Sequence, residues 1–143
     1  MDKYDCLKLE NQLCFPLYAA ARRVTGLYRT HLDALGLTYT QYVTMMVLWE
    51  QGAASVKQLG ARLFLDSGTL TPLLKELERK GLVERKRSES DERVTVVSPT
   101  EAGLALREAA LAVPQRVGSC IKLASDEAAT LYGLLYKLLE KEE

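Results

Sequence analysis

The sequence predicts a mainly α-helical chain with one small β-hairpin, an α+β fold, and three observations lead to this prediction. Apolar residues recur at steps of three and four along most of the 143 residues. Residues that favour helix starts stand where these periodic segments begin. The period changes to two only after Gly81. The predicted order is four helices, a hairpin and two more helices, within a single domain that spans residues 1–143.

The first predicted helix covers residues 8–32, because Leu9, Leu13 and further apolar residues recur on one face. Pro16 lacks an amide hydrogen and clashes with the preceding turn, so either a kink or a later helix start is expected there. Gly36 is suited to the cap that ends this helix.

Two capping boxes predict the next two helices. In residues 38–41, Thr-Tyr-Thr-Gln, a hydroxyl residue is followed three positions later by Gln, and this helix should end at Gly52. Residues 55–58, Ser-Val-Lys-Gln, repeat the pattern and should open a short helix that ends near Leu63 or Phe64.

The fourth helix and the hairpin follow directly. Asp66 or Ser67 is expected to cap the fourth helix, which Gly81 closes. Residues 82–87 and 93–97 then alternate between apolar and polar side chains, which predicts two strands joined by a polar turn.

Thr100 should cap the next helix, which Pro114 interrupts, and a last leucine-rich helix begins near Ser125. Two short helices joined by a tight turn and followed by a hairpin form a winged helix-turn-helix. We therefore place a DNA-binding region at residues 36–99. The flanking segments exceed what one small winged domain needs, and residues 1–35 and 100–143 are predicted to be dimerisation helices.

Composition excludes several other classes of protein. Lys+Arg and Asp+Glu are equal at 19, so net charge gives no argument for nucleic acid. No signal peptide and no apolar stretch of membrane-spanning length is visible, so a cytoplasmic protein without a membrane partner is expected. The three widely spaced cysteines fit neither a disulfide framework nor a zinc motif, so no metal or other cofactor is expected. A single histidine leaves little room for a catalytic pair, and the chain is not predicted to be an enzyme.

The helix at residues 66–80 is the candidate recognition helix. Small hydroxyl side chains in its first turn suit contact with base edges or phosphates in the major groove, although one of them could merely cap the helix. Between residues 57 and 93 there are nine basic and seven acidic residues, so placement matters more than the small surplus. The candidate DNA contacts on this helix are Ser67, Thr69, Thr71 and Lys75.

The hairpin adds basic candidates. Arg85 lies on its first strand, and Arg93 lies beside its tip, where an arginine can enter the narrow minor groove. Asp91, two residues earlier, could hold the Arg93 guanidinium in a fixed pose. An ordinary surface ion pair explains the same spacing.

Four stretches of the chain resemble the MarR family and, within it, the OhrR-type organic hydroperoxide repressors. The wing motif Asp-x-Arg, within residues 85–93, is general to the family, whereas residues 9–15 (Leu-Glu-Asn-Gln-Leu-Cys-Phe) and 65–75 are specific to the hydroperoxide branch, and residues 37–42 also match. The resemblance implies a homodimer on palindromic operator DNA that is released when a cysteine is oxidised. The usual target is the gene of a thiol peroxidase.

Cys14 is the cysteine that the resemblance identifies as the redox sensor. A sensor must react as the thiolate, which the apolar neighbours Leu13 and Phe15 disfavour, so buried packing is the alternative interpretation. Tyr28 lies near the same helix face but about 21 Å along the axis, so it cannot touch its own Cys14 on a straight helix. A two-fold dimer that pairs these helices antiparallel could bring Tyr28 of one chain to Cys14 of the other. In OhrR-type proteins two tyrosines of the partner chain hydrogen-bond the cysteine, and the matching positions are Tyr28 and Tyr39. Filling of an interface core is the alternative for both.

Oxidised Cys14 would need a second thiol to form a disulfide. OhrR-type proteins divide into one-cysteine and two-cysteine types, and Cys120 matches by region the resolving cysteine of the second type. Cys6 and a small thiol remain alternatives. The rival functions are a MarR-type repressor controlled by a small phenolic ligand, a thiol peroxidase that uses Cys14, and an interaction module that keeps the fold without binding DNA.

Overall fold

A computed structural model describes residues 2–140, so Met1 and residues 141–143 of the predicted C-terminal segment lie outside the described residues. Helices dominate this part of the chain, together with one small antiparallel sheet, and the predicted fold class is confirmed. The helices are α1 (Cys14–Asp33), α2 (Tyr39–Gln51), α3 (Val56–Leu63), α4 (Ser67–Arg79), α5 (Glu101–Ala110), α6 (Val113–Gly118) and α7 (Ser125–Leu139), and the strands are β1 (Ala54–Ser55), β2 (Val83–Arg87) and β3 (Thr95–Pro99).

The first helix begins at Cys14 and not near residue 8 as predicted. Two short 3₁₀ turns, Asp5–Leu7 and Leu9–Asn11, precede it. Pro16 is the third residue of α1, in the first turn where backbone N–H groups have no partner within the helix. The proline is therefore accommodated by a later helix start, which was one of the two expected outcomes.

Capping boxes open α2 and α3 as predicted. The Thr38 hydroxyl accepts a hydrogen bond from the Gln41 backbone N–H, and the Gln41 side chain accepts one from the Thr38 N–H; Ser55 and Gln58 repeat the arrangement. Gly52, with φ of 80°, ends α2. These reciprocal bonds satisfy backbone donors that the first turn of a helix leaves free.

Asp66, not Ser67, caps α4. Its carboxylate accepts the Thr69 backbone N–H at 2.7 Å, and this bond holds the pKa of Asp66 below its ordinary value. At the other end, Gly81 with φ of 76° turns the chain out of the helix. Both ends of the predicted recognition helix are thus fixed locally.

The sheet has the strand order β1-β3-β2, with β3 antiparallel to both neighbours. β3 starts at Thr95 and not at residue 93, because the Val94 N–H bonds to the Asp91 carbonyl at 3.0 Å within the wing turn. The two-residue strand β1 was not predicted, since it is too short to show a period.

The core lies between α2, α3, α4 and the sheet, and α6 extends it. Leu48, Leu59 and Val97 are fully buried in it. The start of α1 and nearly all of α7 are exposed within the single chain: Tyr18 is 59% exposed and Tyr132 is 65% exposed. In residues 2–140, no helix combines the length and the apolar character needed to cross a membrane.

Replacing Gly103 by alanine should destabilise the fold. A Cβ at Gly103 would overlap the carbonyl oxygen of Leu82 and crowd Met45 Cε at 3.2 Å, and the Gly103 carbonyl accepts the Trp49 indole N–H at 2.9 Å. Because overpacking against backbone cannot relax cheaply, we expect Gly103→Ala to lower the free energy of unfolding by about 3 kcal/mol. Urea unfolding at one fixed protein concentration measures this effect.

Gly68→Ala is the matched control for this prediction. A Cβ at Gly68 would lie 3.5 Å from Asp66 Oδ1, an ordinary contact. Its unfolding free energy should change by less than about 1 kcal/mol. Equal losses in the two variants would contradict the steric argument.

Candidate functional site

The exposed face of α4 carries the residues predicted to contact DNA. Leu70, Leu74 and two other leucines turn towards the core, which leaves the rest of the helix surface accessible. Ser67, Thr71 and Lys75 follow one another at four-residue steps, so they form one row along the helix. Ser67 and Lys75 are exposed and Thr71 is half-buried.

Thr69 is also exposed, but it lies off the row formed by Ser67, Thr71 and Lys75. Its backbone N–H is bound to the Asp66 cap. The structure therefore brings three of the four predicted helix residues together on one side of α4.

The wing tip presents Arg93 to solvent. The Arg93 side chain is 90% exposed, and Asp91 holds it through Nε at 3.2 Å and Nη2 at 3.3 Å, while the Asp91 carboxylate also accepts the Arg93 backbone N–H at 3.0 Å. The hydrogen bond from the Arg93 side chain and, to a smaller extent, the one from its backbone N–H hold the pKa of Asp91 below its ordinary value. One carboxylate thus fixes both the backbone and the side chain of the exposed arginine.

Arg85 lies between the wing and α4. It belongs to β2, and its guanidinium Nη2 donates to Glu78 Oε1 of α4 at 3.0 Å. This hydrogen bond holds the pKa of Glu78 below its ordinary value. The pair ties the wing to the end of the recognition helix, and a direct DNA contact by Arg85 stays a prediction.

Cys14 is the first residue of α1 and is exposed within the single chain. The first turn of a helix has free N–H groups and the positive end of the helix dipole, which favour a negatively charged group such as a thiolate. Cys6 and Cys120 are also free and exposed. Cys120 lies just after α6, where its thiol is 3.5 Å from the Arg116 carbonyl oxygen.

Three tyrosines form a cluster where α1 meets the start of α2. The ring centroid of Tyr28 lies 4.9 Å from that of Tyr39 and 5.8 Å from that of Tyr42. Burial raises the pKa of Tyr39 above its ordinary value, and the neighbouring Tyr28 and Tyr136 raise it further. The Tyr39 phenol therefore keeps its proton at neutral pH and can donate a hydrogen bond. Tyr42 is buried in the core.

The structure does not bring Cys14 to this cluster within one chain. Cys14 and Tyr28 are 14 residues apart on α1, which corresponds to about 21 Å along a helix axis. Any contact between the cysteine and Tyr28 requires a second copy of the chain.

Two contacts near the site were missed by sequence reasoning. Glu78, described above, binds the wing arginine. Lys80 donates from Nζ to the Gly36 carbonyl at 2.7 Å and to Gln41 Oε1 at 2.9 Å. The partners of Lys80 lie about 40 residues away in the sequence, so no local pattern could have indicated this contact.

Together, the exposed helix of the helix-turn-helix and the arginine-bearing wing define a winged-helix transcription regulator. Residues 26–109 match the sequence profile of the family described as transcriptional regulator SarA/Rot. The chain belongs to this family of MarR-type winged-helix regulators, which are not enzymes.

The chain is also similar to individual characterised proteins. It is 48% identical to the organic hydroperoxide resistance transcriptional regulator of Bacillus subtilis, over 97% of this chain and 95% of that protein. It is 38% identical to the HTH-type regulator SarZ of Staphylococcus aureus, over 93% of this chain and 90% of that protein. The resemblance to the hydroperoxide branch inferred from the motifs is confirmed.

Among solved structures, the chain is similar to AbfR of Staphylococcus epidermidis. Reduced AbfR bound to DNA is 36% identical, with a TM-score of 0.77 and coverage of 96% of both chains. Overoxidised AbfR bound to DNA gives the same TM-score. The disulfide form of AbfR gives 0.66, over 96% of this chain and 97% of that one.

Proposed function

We propose that this chain is a redox-sensing transcriptional repressor that binds a palindromic operator as a reduced homodimer. Oxidation of Cys14 by an organic hydroperoxide releases it from the DNA. The proposal depends on one observation. The exposed Cys14 is the first residue of α1, and near the other end of the same helix Tyr28 packs against Tyr39. Such a regulator acts in the cytoplasm, where the operator is located.

The dimer forms through the flanking segments, residues 1–35 and 100–143. The exposed apolar side chains of α7 and of the start of α1 support this assignment, because contiguous apolar surface of this kind is usually covered by a partner. A two-fold axis that pairs the α1 helices antiparallel brings Tyr28 and Tyr39 of one chain to Cys14 of the other. The same axis presents two recognition helices to the two halves of a palindrome.

Residues 36–99 bind the DNA. The row of Ser67, Thr71 and Lys75, with Thr69 beside it, enters the major groove, where hydroxyl and ammonium groups bind base edges and phosphates. The support is the exposure of Ser67, Thr69 and Lys75 on the outer surface of α4. The wing contributes Arg93, which Asp91 holds extended towards a minor groove.

The redox step uses the thiolate of Cys14 as nucleophile. The sulfur attacks one oxygen of the hydroperoxide, the O–O bond breaks, and the corresponding alcohol leaves after taking a proton, so that Cys14 becomes a sulfenic acid. Phenol O–H groups of the partner's Tyr28 and Tyr39 stabilise the thiolate before the reaction. Protonated Tyr39, whose pKa is raised by burial, can act as such a donor.

Cys120 of the partner chain resolves the sulfenic acid. Its thiolate attacks the Cys14 sulfur, the S–O bond breaks as the intersubunit disulfide forms, and the hydroxide leaves as water after taking a proton. Cys120 is exposed just beyond α6, so no packing must be broken to expose its thiol. Since AbfR is described on DNA in an overoxidised form and separately as a disulfide, we assign release to the disulfide.

The test is operator binding by fluorescence anisotropy, with DNA from upstream of the chain's own gene and of adjacent genes. The reduced dimer should bind, cumene hydroperoxide should release it, and dithiothreitol should restore binding. Release by a phenolic ligand without any response to hydroperoxide would favour the ligand-controlled alternative. Failure of the reduced dimer to bind any such fragment at moderate salt would contradict a repressor function.

Cys120→Ser should separate oxidation from release. We expect hydroperoxide to oxidise Cys14 in this variant, detected by a sulfenic acid probe, while no intersubunit band appears on non-reducing electrophoresis. Operator release should be slower and less complete than in the wild type, because the disulfide is absent. A disulfide band that persists in Cys120→Ser and vanishes in Cys6→Ser would assign the resolving role to Cys6.

A further inference from the structure

Lys80 connects the sensor region to the recognition helix. It is the C-terminal cap residue of α4, and its ammonium donates to the Gly36 carbonyl at 2.7 Å and to Gln41 Oε1 at 2.9 Å. Both acceptors belong to the turn and first residues that lead from α1 into α2. One side chain therefore joins the end of the DNA-reading helix to the segment that carries Tyr39.

The acceptors of Lys80 are held firmly in place. Gln41 is only 5% exposed, and its Oε1 also accepts the Thr38 backbone N–H at 3.1 Å as part of the capping box. Gly36 is in the left-handed region, with φ of 68°, and the buried Leu37 follows it with its N–H bonded to the Leu32 carbonyl at 3.1 Å. Because both acceptors are fixed, a shift of this segment is transmitted to Lys80 and is not absorbed by a flexible loop.

Tyr39 lies at the centre of this arrangement. It is the first residue of α2, between Thr38 and Gln41 of the capping box, and its ring packs on Tyr28. A change in the hydrogen bonding of Tyr39 therefore acts on the start of α2. The Gln41 side-chain Oε1, two residues further on, moves with this segment and accepts the hydrogen bond from the Lys80 ammonium.

The recognition helix is suited to transmit this movement. α4 is a 13-residue helix from Ser67 to Arg79, which is about 18 Å between its first and last residues. A small rotation imposed at its Lys80 end displaces Ser67 at the other end, where the groove contacts are proposed. The Arg85–Glu78 bond ties the wing to the same end of α4, so the wing is carried along.

We infer that Lys80 is a positioning residue that couples the state of the Cys14–tyrosine site to the orientation of the recognition helix. It does so through its paired hydrogen bonds to Gly36 and Gln41. This inference rests on the proposed redox function and names how the sensor reaches the DNA-binding surface. Lys80 itself touches neither the oxidant nor, in this role, the DNA.

The test compares operator Kd values of fully reduced and fully disulfide-linked protein, for wild type, Lys80→Met and Lys80→Arg. Methionine keeps the length of the side chain without donors, whereas arginine keeps donors that can reach both acceptors. We expect the ratio of oxidised to reduced Kd to fall by about fivefold or more in Lys80→Met. Lys80→Arg should restore most of the ratio, and the rate of Cys14 oxidation should match the wild type in both variants.

The ratio distinguishes coupling from a merely structural role. If Lys80 only stabilised the fold, Lys80→Met would lower the melting temperature and weaken both Kd values together, and the unchanged ratio would overturn the inference. A wild-type ratio of one would refute the proposed redox function itself. If Lys80→Met does not give a folded dimer, Lys80→Gln, which retains a shorter donor, is measured with the same two outcomes.

Discussion

Cys14→Ser is expected to bind operator DNA like the wild type and to lose release by organic hydroperoxide completely. Serine keeps nearly the same volume at the first, exposed residue of α1, so reduced-state affinity should stay within about twofold. Its hydroxyl cannot be oxidised to a sulfenic acid, so neither the alcohol-forming step nor the disulfide can follow. In the wild type, oxidation should weaken operator binding by about 5- to 150-fold.

Cys6→Ser is the matched control, because Cys6 is an exposed cysteine of the same N-terminal segment. Hydroperoxide should release Cys6→Ser from the operator as it releases the wild type.

Tyr28→Phe and Tyr39→Phe keep the packed rings and remove one hydrogen-bond donor each. Sulfenic acid formation at Cys14 should therefore slow by about tenfold in each variant. Anisotropy and a sulfenic acid probe measure the two effects separately. Release of Cys14→Ser from the operator by hydroperoxide would contradict the proposed redox switch.

Much of this fold was predictable because its helix ends are determined locally. The boxes at residues 38–41 and 55–58 and the left-handed Gly81 each fix a terminus through groups within a few residues. Residues 8–13 were wrongly predicted as helix, because periodicity alone does not show where a helix must start. The 3₁₀ turns there fold back on themselves, with the Gln12 amide bonded to the carbonyls of Cys6 and Lys8.

The candidate site was predictable only in part, for a different physical reason. The Asp91–Arg93 pair was anticipated from a spacing of two residues. Tyr28 and Tyr39 were singled out by resemblance, but their packing against each other within one chain was not predicted. The contacts of Lys80 and Glu78 depend on how α4 packs against the α1–α2 turn and the wing. No period or cap in the sequence encodes that packing, so only the folded chain reveals them.

The Asp91–Arg93 pair at the wing tip is important for operator affinity because net charge cannot attract this protein to DNA. With 19 basic and 19 acidic residues, affinity must come from a few well-placed cations and not from a general positive field. Arg79 and Arg62 are paired with Glu76 and Glu50 and are 70% and 46% exposed, whereas the Arg93 side chain, although paired with Asp91, is 90% exposed. An exposed arginine at the wing tip should therefore carry a large share of the operator affinity.

Arg93→Ala should accordingly weaken operator binding by about 10- to 100-fold, since each dimer loses two minor-groove arginines. Arg93→Lys keeps the charge but not the planar fork, and should recover only part of the loss. Anisotropy titrations over a range of salt concentrations measure both, and the salt dependence should fall in Arg93→Ala alone. A loss of less than about twofold in Arg93→Ala would show that the wing does not contact the operator.

Asp91 should act through Arg93, and a double-mutant cycle can establish this. Asp91→Ala frees the guanidinium to adopt many orientations, so affinity should fall, but less than in Arg93→Ala. In an Arg93→Ala background the same change should have little further effect. Because the Arg93 bonds hold the pKa of Asp91 below its ordinary value, the carboxylate stays charged and its contribution should be constant from about pH 6 to 8 and decline only in acid. Equal losses in both backgrounds would instead mean that Asp91 acts on the wing turn itself, where its carbonyl accepts the Val94 N–H.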